Sequence, residues 1–188
     1  LSEKALILQY GRFPTVIGEA IECAPDIPAL RRLRDRLESF ILEFLDNRGT
    51  LTWLMEMAGI LNRKFVNRIV ELIVEELRQN RKMDPPVDFA WLMMGSGGRD
   101  ELMIRSAVYH ALVYADPPVG REDAVDAYFQ ELARRTAAGV RQCGFLESPQ
   151  HVLAHHPGWC LPLSRMKDRF TRFIEDPLAS HVYSARDA

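Results

Sequence analysis

The stretch "RKMDPPVD", residues 81 to 88, constrains the fold more than any other part of the sequence. Two adjacent prolines remove two backbone donors and push the residue before them out of the helical region, so neither a helix nor a central strand runs through them. The chain is therefore read in two parts. Everything before Pro85-Pro86 has helical texture, and the remainder mixes short apolar runs with amphipathic helices.

In the first part, "DIPALRRLRDRLESFILEFLDNRG" opens on Asp26 as an N-cap with Pro28 in the first turn, and stops at Gly49. Leu30, Leu33, Leu37, Phe40, Ile41, Phe44 and Leu45 recur at three- and four-residue steps and make one apolar stripe. Arg31, Arg32, Arg34 and Arg36 are read as a solvated face pairing with local Asp and Glu. A second helix is expected from about Thr50 to Lys82, with Leu61, Phe65, Ile69, Leu72, Ile73 and Leu77 as its stripe. Trp53, Met55 and Met57 are expected to pack against the first helix. This is an antiparallel hairpin over 20–83, and its apolar face needs a further helix, a partner domain or a second copy to cover it.

In the second part, "VDFAWLMM" and "AVYHALVY" have the apolar, aromatic and β-branched content of buried strands. Between them lies "GSGGRDELMIRS", read as a glycine turn followed by a short helix. "REDAVDAYFQELARRTAAGVRQCG" is a helix ending at Gly144, and "PLSRMKDRFTRFIEDP" is another, stopped by Pro177. The expected fold class is α+β: a mixed sheet with helices over 84–188, preceded by the N-terminal helical hairpin or bundle. A Gly-Ser turn after a strand brings backbone N–H groups close to an anion. Gly95, Ser96, Gly98 and Arg99 are accordingly the candidate phosphate-binding residues.

Spacing sharpens this. The block "GSGGRDELMIRSAVYHALVYAD" resembles the "G-S-x-G-R-x-E…T-D-Q-D-x-A-L-V-Y" signature of bacterial nucleotidyltransferases related to protein-PII uridylyltransferase. Gly95, Ser96, Gly98, Arg99 and Glu101 match its first part, and Ala111 to Tyr114 its last. "AYFQELARR", "HVLAHHPGW" and "RFTRFIEDP" are similar to later elements of the family, and the helical half is similar too. The resemblance implies a nucleotidyltransferase-like mixed sheet. It also implies an upstream sensor domain, of the CBS (cystathionine-β-synthase) or cyclic-nucleotide-binding kind, with residues 1–19 as the connector. In the family, two carboxylates on alternate residues of the second strand hold a divalent metal against a nucleoside triphosphate. Here those positions are Ala107 and Tyr109. The third acidic position aligns with Ser184, beside Arg186.

Neighbouring acids do not replace them. Asp116 has the opposite strand parity and sits at the far end; Asp187 would face the other way; Asp100 and Glu101 follow the turn. The expected function is therefore a catalytically inactive, nucleotidyltransferase-like regulatory module in bacterial signal transduction that retains a nucleotide-binding turn, with no catalytic or metal-binding residues. The alternative is an active metal-dependent nucleotidyltransferase with unrecognised ligands, and Mg²⁺ beside a nucleoside triphosphate is expected only in that case. The expected partners are the sensor domain and another protein, with homodimerisation compatible with either function.

His151, His155, His156 and Cys160, with Cys143, are zinc-ligand types, but their spacing matches no common finger, and the non-metal reading is preferred. Cys143 and Cys160 then read as small hydrophobes, and His110 as a satisfied structural histidine. Ser96 has no elbow motif or third partner to make it a nucleophile. A net charge of −2 gives no electrostatic reason to expect nucleic acid or a membrane. Three cysteines are a sparse, odd set for disulfides, so a cytoplasmic setting is expected. No apolar run nears the roughly 20 residues that span a bilayer. The chain opens on Leu1, which fits a piece of a longer protein.

Overall fold

The computed structural model describes residues 11–46, 51–103, 106–149, 152–156 and 158–175. Among these the helices are α1 (Phe13–Glu22), α2 (Ile27–Asp46), α3 (Leu51–Arg81), α4 (Glu122–Gln142) and α5 (Leu163–Glu175). The strands are β1 (Phe89–Met94), β2 (Ala107–Tyr114), β3 (Leu146–Glu147) and β4 (Cys160–Pro162). The class is α+β, with the helical region before the strands.

α2 starts where its cap predicts, the Asp26 carboxylate accepting the Ala29 N–H at 2.7 Å. Its stripe meets α3, with Trp53 against Phe44 at a centroid distance of 4.9 Å. The face of this hairpin is covered from within the chain. α1 begins in the stretch read as a connector (1–19) and ends in the helical region; it buries Ile17 and Ile21 and stacks Phe13 on Phe40 at 3.8 Å. On the other side α4 approaches so closely that a Cβ at Gly139 would lie 2.9 Å from the Ile69 side chain. Arg135 of α4 also holds Glu76 of α3.

One expectation about α2 is corrected. Arg31 does pair with Asp35 on the surface, but Arg34 is only 1% exposed. Its position, four residues after Leu30 and three before Leu37, puts it on the buried stripe. The guanidinium lies 3.6 Å over the Phe145 ring and donates from Nη1 to Asn62 Oδ1 at 2.8 Å. Asn62 then donates from Nδ2 to the Leu102 carbonyl at 2.7 Å. A buried charge therefore ties α2 through α3 to the segment between β1 and β2.

β2 is the central strand. Along one edge it pairs antiparallel with β1, in a register that sets Met94 opposite Tyr109 and Phe89 opposite Tyr114. Along the other it pairs parallel with β3 at Ala107–Val108 and with β4 at Leu112–Tyr114. The gap between β3 and β4 is bridged by the His110 N–H, which donates to the Val152 carbonyl at 3.1 Å. β3 and all but the last residue of β4 fall between the expected helices, one ending at Gly144 and the next opening at Pro162, and both strands are too short for a period of two to register.

The short helix expected between β1 and β2 is not formed among the described residues. Residues 95–100 make consecutive turns instead. Val108, Leu112 and Tyr114 face the main core with α3 and α4. Tyr109, Ala111 and Val113 face a smaller cluster under α5. The N-terminus of α5 is fixed by Asp116, which accepts both the N–H and the hydroxyl of Ser164, at 3.1 and 2.7 Å.

Replacing Asn62 by Ala leaves the buried Arg34 guanidinium and the Leu102 carbonyl without their shared partner. The expected loss is about 2–4 kcal/mol in urea unfolding. A change below about 0.5 kcal/mol contradicts the buried link.

Candidate functional site

The Gly-Ser turn begins where β1 ends. Gly95 has φ +58° and Asp100 φ +57°, so the backbone leaves and re-enters the turn in the left-handed region. Gly98 is needed for closeness, since a Cβ there would lie 2.8 Å from the Met93 carbonyl.

Most of the turn's donors are engaged within it. Gly97 and Gly98 donate to the Met94 carbonyl at 3.1 and 3.2 Å, Arg99 to Gly95 at 3.3 Å, and Glu101 to Ser96 at 2.8 Å. Ser96 differs: its N–H and hydroxyl have no hydrogen bond among the described residues. No helix follows the turn among the described residues, so no macrodipole from them backs it and an anion here relies on Ser96 and side chains. Arg99 is exposed and its Nε holds Glu101 Oε2 at 2.9 Å. Asp100 pairs through Oδ2 with Arg63 at 3.1 Å, while its Oδ1 is buried without a hydrogen bond. Both acids of the turn thus face an arginine.

The register places Ala107 and Tyr109 at the same end of the strand pair as Gly95, since Met94 lies opposite Tyr109. Both belong to the face carrying Ala111 and Val113. Tyr109 packs there against the cluster of Met94, Ala111, Val152, Trp159 and Met166, with Phe170 and Phe173 closing it from α5. A face that in the resembled family holds two carboxylates here holds a small apolar core. Ser184, Arg186 and Asp187 lie outside the described residues, as does His151.

Among the described residues, no group of three or more His, Cys, Asp and Glu side chains is arranged to hold a metal ion. Cys143 and Cys160 are buried, and burial pushes their thiols up to about 11 and about 12. His110 is buried beside Trp91, and its Nδ1 accepts the Ala154 N–H at 2.9 Å. Burial first, and the nearby His155 second, push its pKa down to about 3. It is a neutral ring that pins the 152–156 loop to β2.

Sequence reasoning passed over one feature, a cleft lined by Arg165, Arg169 and Arg172 of α5. Their spacing at i, i+4 and i+7 within "SRMKDRFTRF" was the available signal.

A strand, a glycine-serine turn and an antiparallel partner strand, followed by a parallel crossover through α4, make this a nucleotidyltransferase-like domain. The family model described as "Putative nucleotidyltransferase DUF294" matches residues 35–179, and the chain belongs to that family. The match runs from within α2 to beyond α5, so the helical half is part of what the family shares. No curated protein matches the chain. No helix among the described residues is long and apolar enough to cross a membrane.

The His110 ring carries a pH prediction. Unfolded, it takes up a proton near pH 6.5; folded, only near 3. The unfolded state therefore binds more protons in between, and stability falls as pH drops through that window. The expected slope is on the order of 1 kcal/mol per pH unit. In urea titrations from pH 7 to 4, His110→Gln should show a flatter decline than the wild type. Equal slopes contradict the assignment.

Proposed function

We propose that the chain is a catalytically inactive nucleotidyltransferase-like module that regulates rather than transfers, and that it holds a nucleotide at the Gly95–Ser96 turn. The carrying observation is the packing of Tyr109 among Met94, Trp159 and the α5 aromatics, at the end of the sheet where the turn begins. A metal-bridged triphosphate needs oxygen ligands beside the reacting phosphorus. Ala107 supplies none, and the phenol ring of Tyr109 is a poor replacement for a carboxylate.

The turn keeps what an anion requires: Ser96 with its N–H and hydroxyl, Arg99 at the rim, and glycine where the backbone must come close. The reading extends to signalling. The module resembles protein-PII uridylyltransferase relatives that follow CBS or cyclic-nucleotide-binding sensor domains, and we place it downstream of such a domain in the bacterial cytoplasm. α1 is then the element that a preceding domain would push or pull, since it is packed on α2 and α3. A partner protein, or a second copy, would receive the signal.

The test is a calorimetric titration with ATP, GTP, UTP and CTP, with and without Mg²⁺, alongside a pyrophosphate-release assay. The expected result is nucleotide binding that does not need Mg²⁺, weakened about tenfold by Ser96→Ala or Arg99→Ala, with no pyrophosphate formed. Mg²⁺-dependent turnover would overturn the proposal in favour of an active transferase with other metal ligands. Absence of nucleotide binding would reduce it to a structural relay.

A further inference from the structure

The arginine cleft of α5 offers more than a charged surface. Arg165, Arg169 and Arg172 share one helix face and line a space of about 440 Å³ with Gly158, Asp168 and Phe173. That volume falls in the range of small-ligand sites. Elsewhere on the molecule, Arg31, Arg68, Arg99, Arg134, Arg135 and Arg141 each hold a carboxylate. The three arginines of the cleft hold none among the described residues.

Arg169 is set in place. Its guanidinium carbon stands 4.5 Å from the centroid of the Trp159 ring and 5.2 Å from that of Phe173. Its Nε is buried with no hydrogen-bond partner, and burial lowers its pKa. The backbone makes room for it: Gly158 has φ +97°, and a Cβ there would lie 2.7 Å from Arg169 Nη1. Holding a guanidinium partly out of water with no carboxylate paired to it among the described residues is unfavourable by itself. The arrangement is stabilised once an anion enters.

Charge selects the anion. Three arginines less Asp168 leave two positive charges in the lining, a match for a phosphoryl dianion rather than a single carboxylate. Guanidinium forks also suit the oxygens of phosphate.

We propose that this cleft binds the phosphoryl group of a small phosphate-bearing ligand, without metal, as a site distinct from the Gly95–Ser96 turn. The inference does not depend on nucleotide binding at that turn. Because Trp159 and Phe173 belong to the cluster that also packs Tyr109, an occupied cleft would stiffen α5 against the sheet.

The test uses the full chain in EDTA, titrated calorimetrically with inorganic phosphate, pyrophosphate and ATP, and with succinate as a carboxylate control. Arg165 and Arg172 are exposed, so Arg165→Gln and Arg172→Gln are expected to fold as the wild type does, checked by circular dichroism. The expected result is pyrophosphate binding that each substitution weakens roughly tenfold and that falls with added salt. ATP binding more tightly than pyrophosphate, with the same dependence on Arg165 and Arg172, supports a nucleotide as the source. Equal affinity supports a simple phosphate compound. Three results overturn the proposal: no heat with phosphate or pyrophosphate, binding indifferent to both substitutions, or succinate binding as well as pyrophosphate. The readout rests on Arg165 and Arg172, so failure of the cradle reading, which rests on Ser96 and Arg99, is seen separately.

Discussion

The guanidinium of Arg34, taken out of water and stacked over Phe145, hydrogen-bonds to Asn62, which in turn hydrogen-bonds to the Leu102 carbonyl. Its Nε has no hydrogen-bond partner, and the nearest carboxylate contact, Glu38 Oε1, is 3.7 Å away. The arrangement is therefore sensitive to small displacements, because a buried charge loses much when its one good acceptor moves. Leu102 lies just past the Gly-Ser turn, and the turn is further fixed by Arg63 of α3 holding Asp100. A Cβ at Gly59 would strike the Asp100 carbonyl, so α3 and the turn touch backbone to backbone. The helical half and the candidate site thus behave as one mechanical unit.

β2 divides the second half by parity. Even positions feed the large core shared with α3 and α4, and odd positions feed the smaller cluster under α5. In an enzyme of this architecture the odd face near the turn is where metal would sit. In this chain Tyr109, Met94 and Trp159 pack together on that face, and on the proposed reading packing has replaced charge there while the scaffold of a transferase is kept for regulation. The crossing polar residue of β2 is His110, whose neutral ring serves the loop rather than chemistry.

Much of the fold was legible because its elements are long and strongly periodic. α2, α3, α4, β1 and β2 fall where the stripes, the Asp26 cap, Gly144 and the two prolines place them. α1 was missed because it is short and straddles the boundary drawn between the connector (1–19) and the hairpin (20–83). β3 and β4 were missed because two- and three-residue strands carry no period. Arg34 was misplaced because its charge outweighed its position on the stripe. For the candidate site, the position of the turn between two strands could be read from residue spacing. Of the arginine cleft only the arginine spacing on α5 was legible, because its other wall depends on Trp159 and Gly158 arriving beside α5 from a loop. That wall is a tertiary arrangement with no local pattern of its own.

The central claim, that the cradle persists where the metal face has become apolar, is tested most directly with manganese. Electron paramagnetic resonance of Mn²⁺ titrated into the wild-type chain, with and without ATP, reports whether the protein itself ligates the ion. The account predicts no bound Mn²⁺ for the protein alone, and with ATP present no more than the nucleotide binds on its own. A saturable site that requires both protein and nucleotide would contradict it.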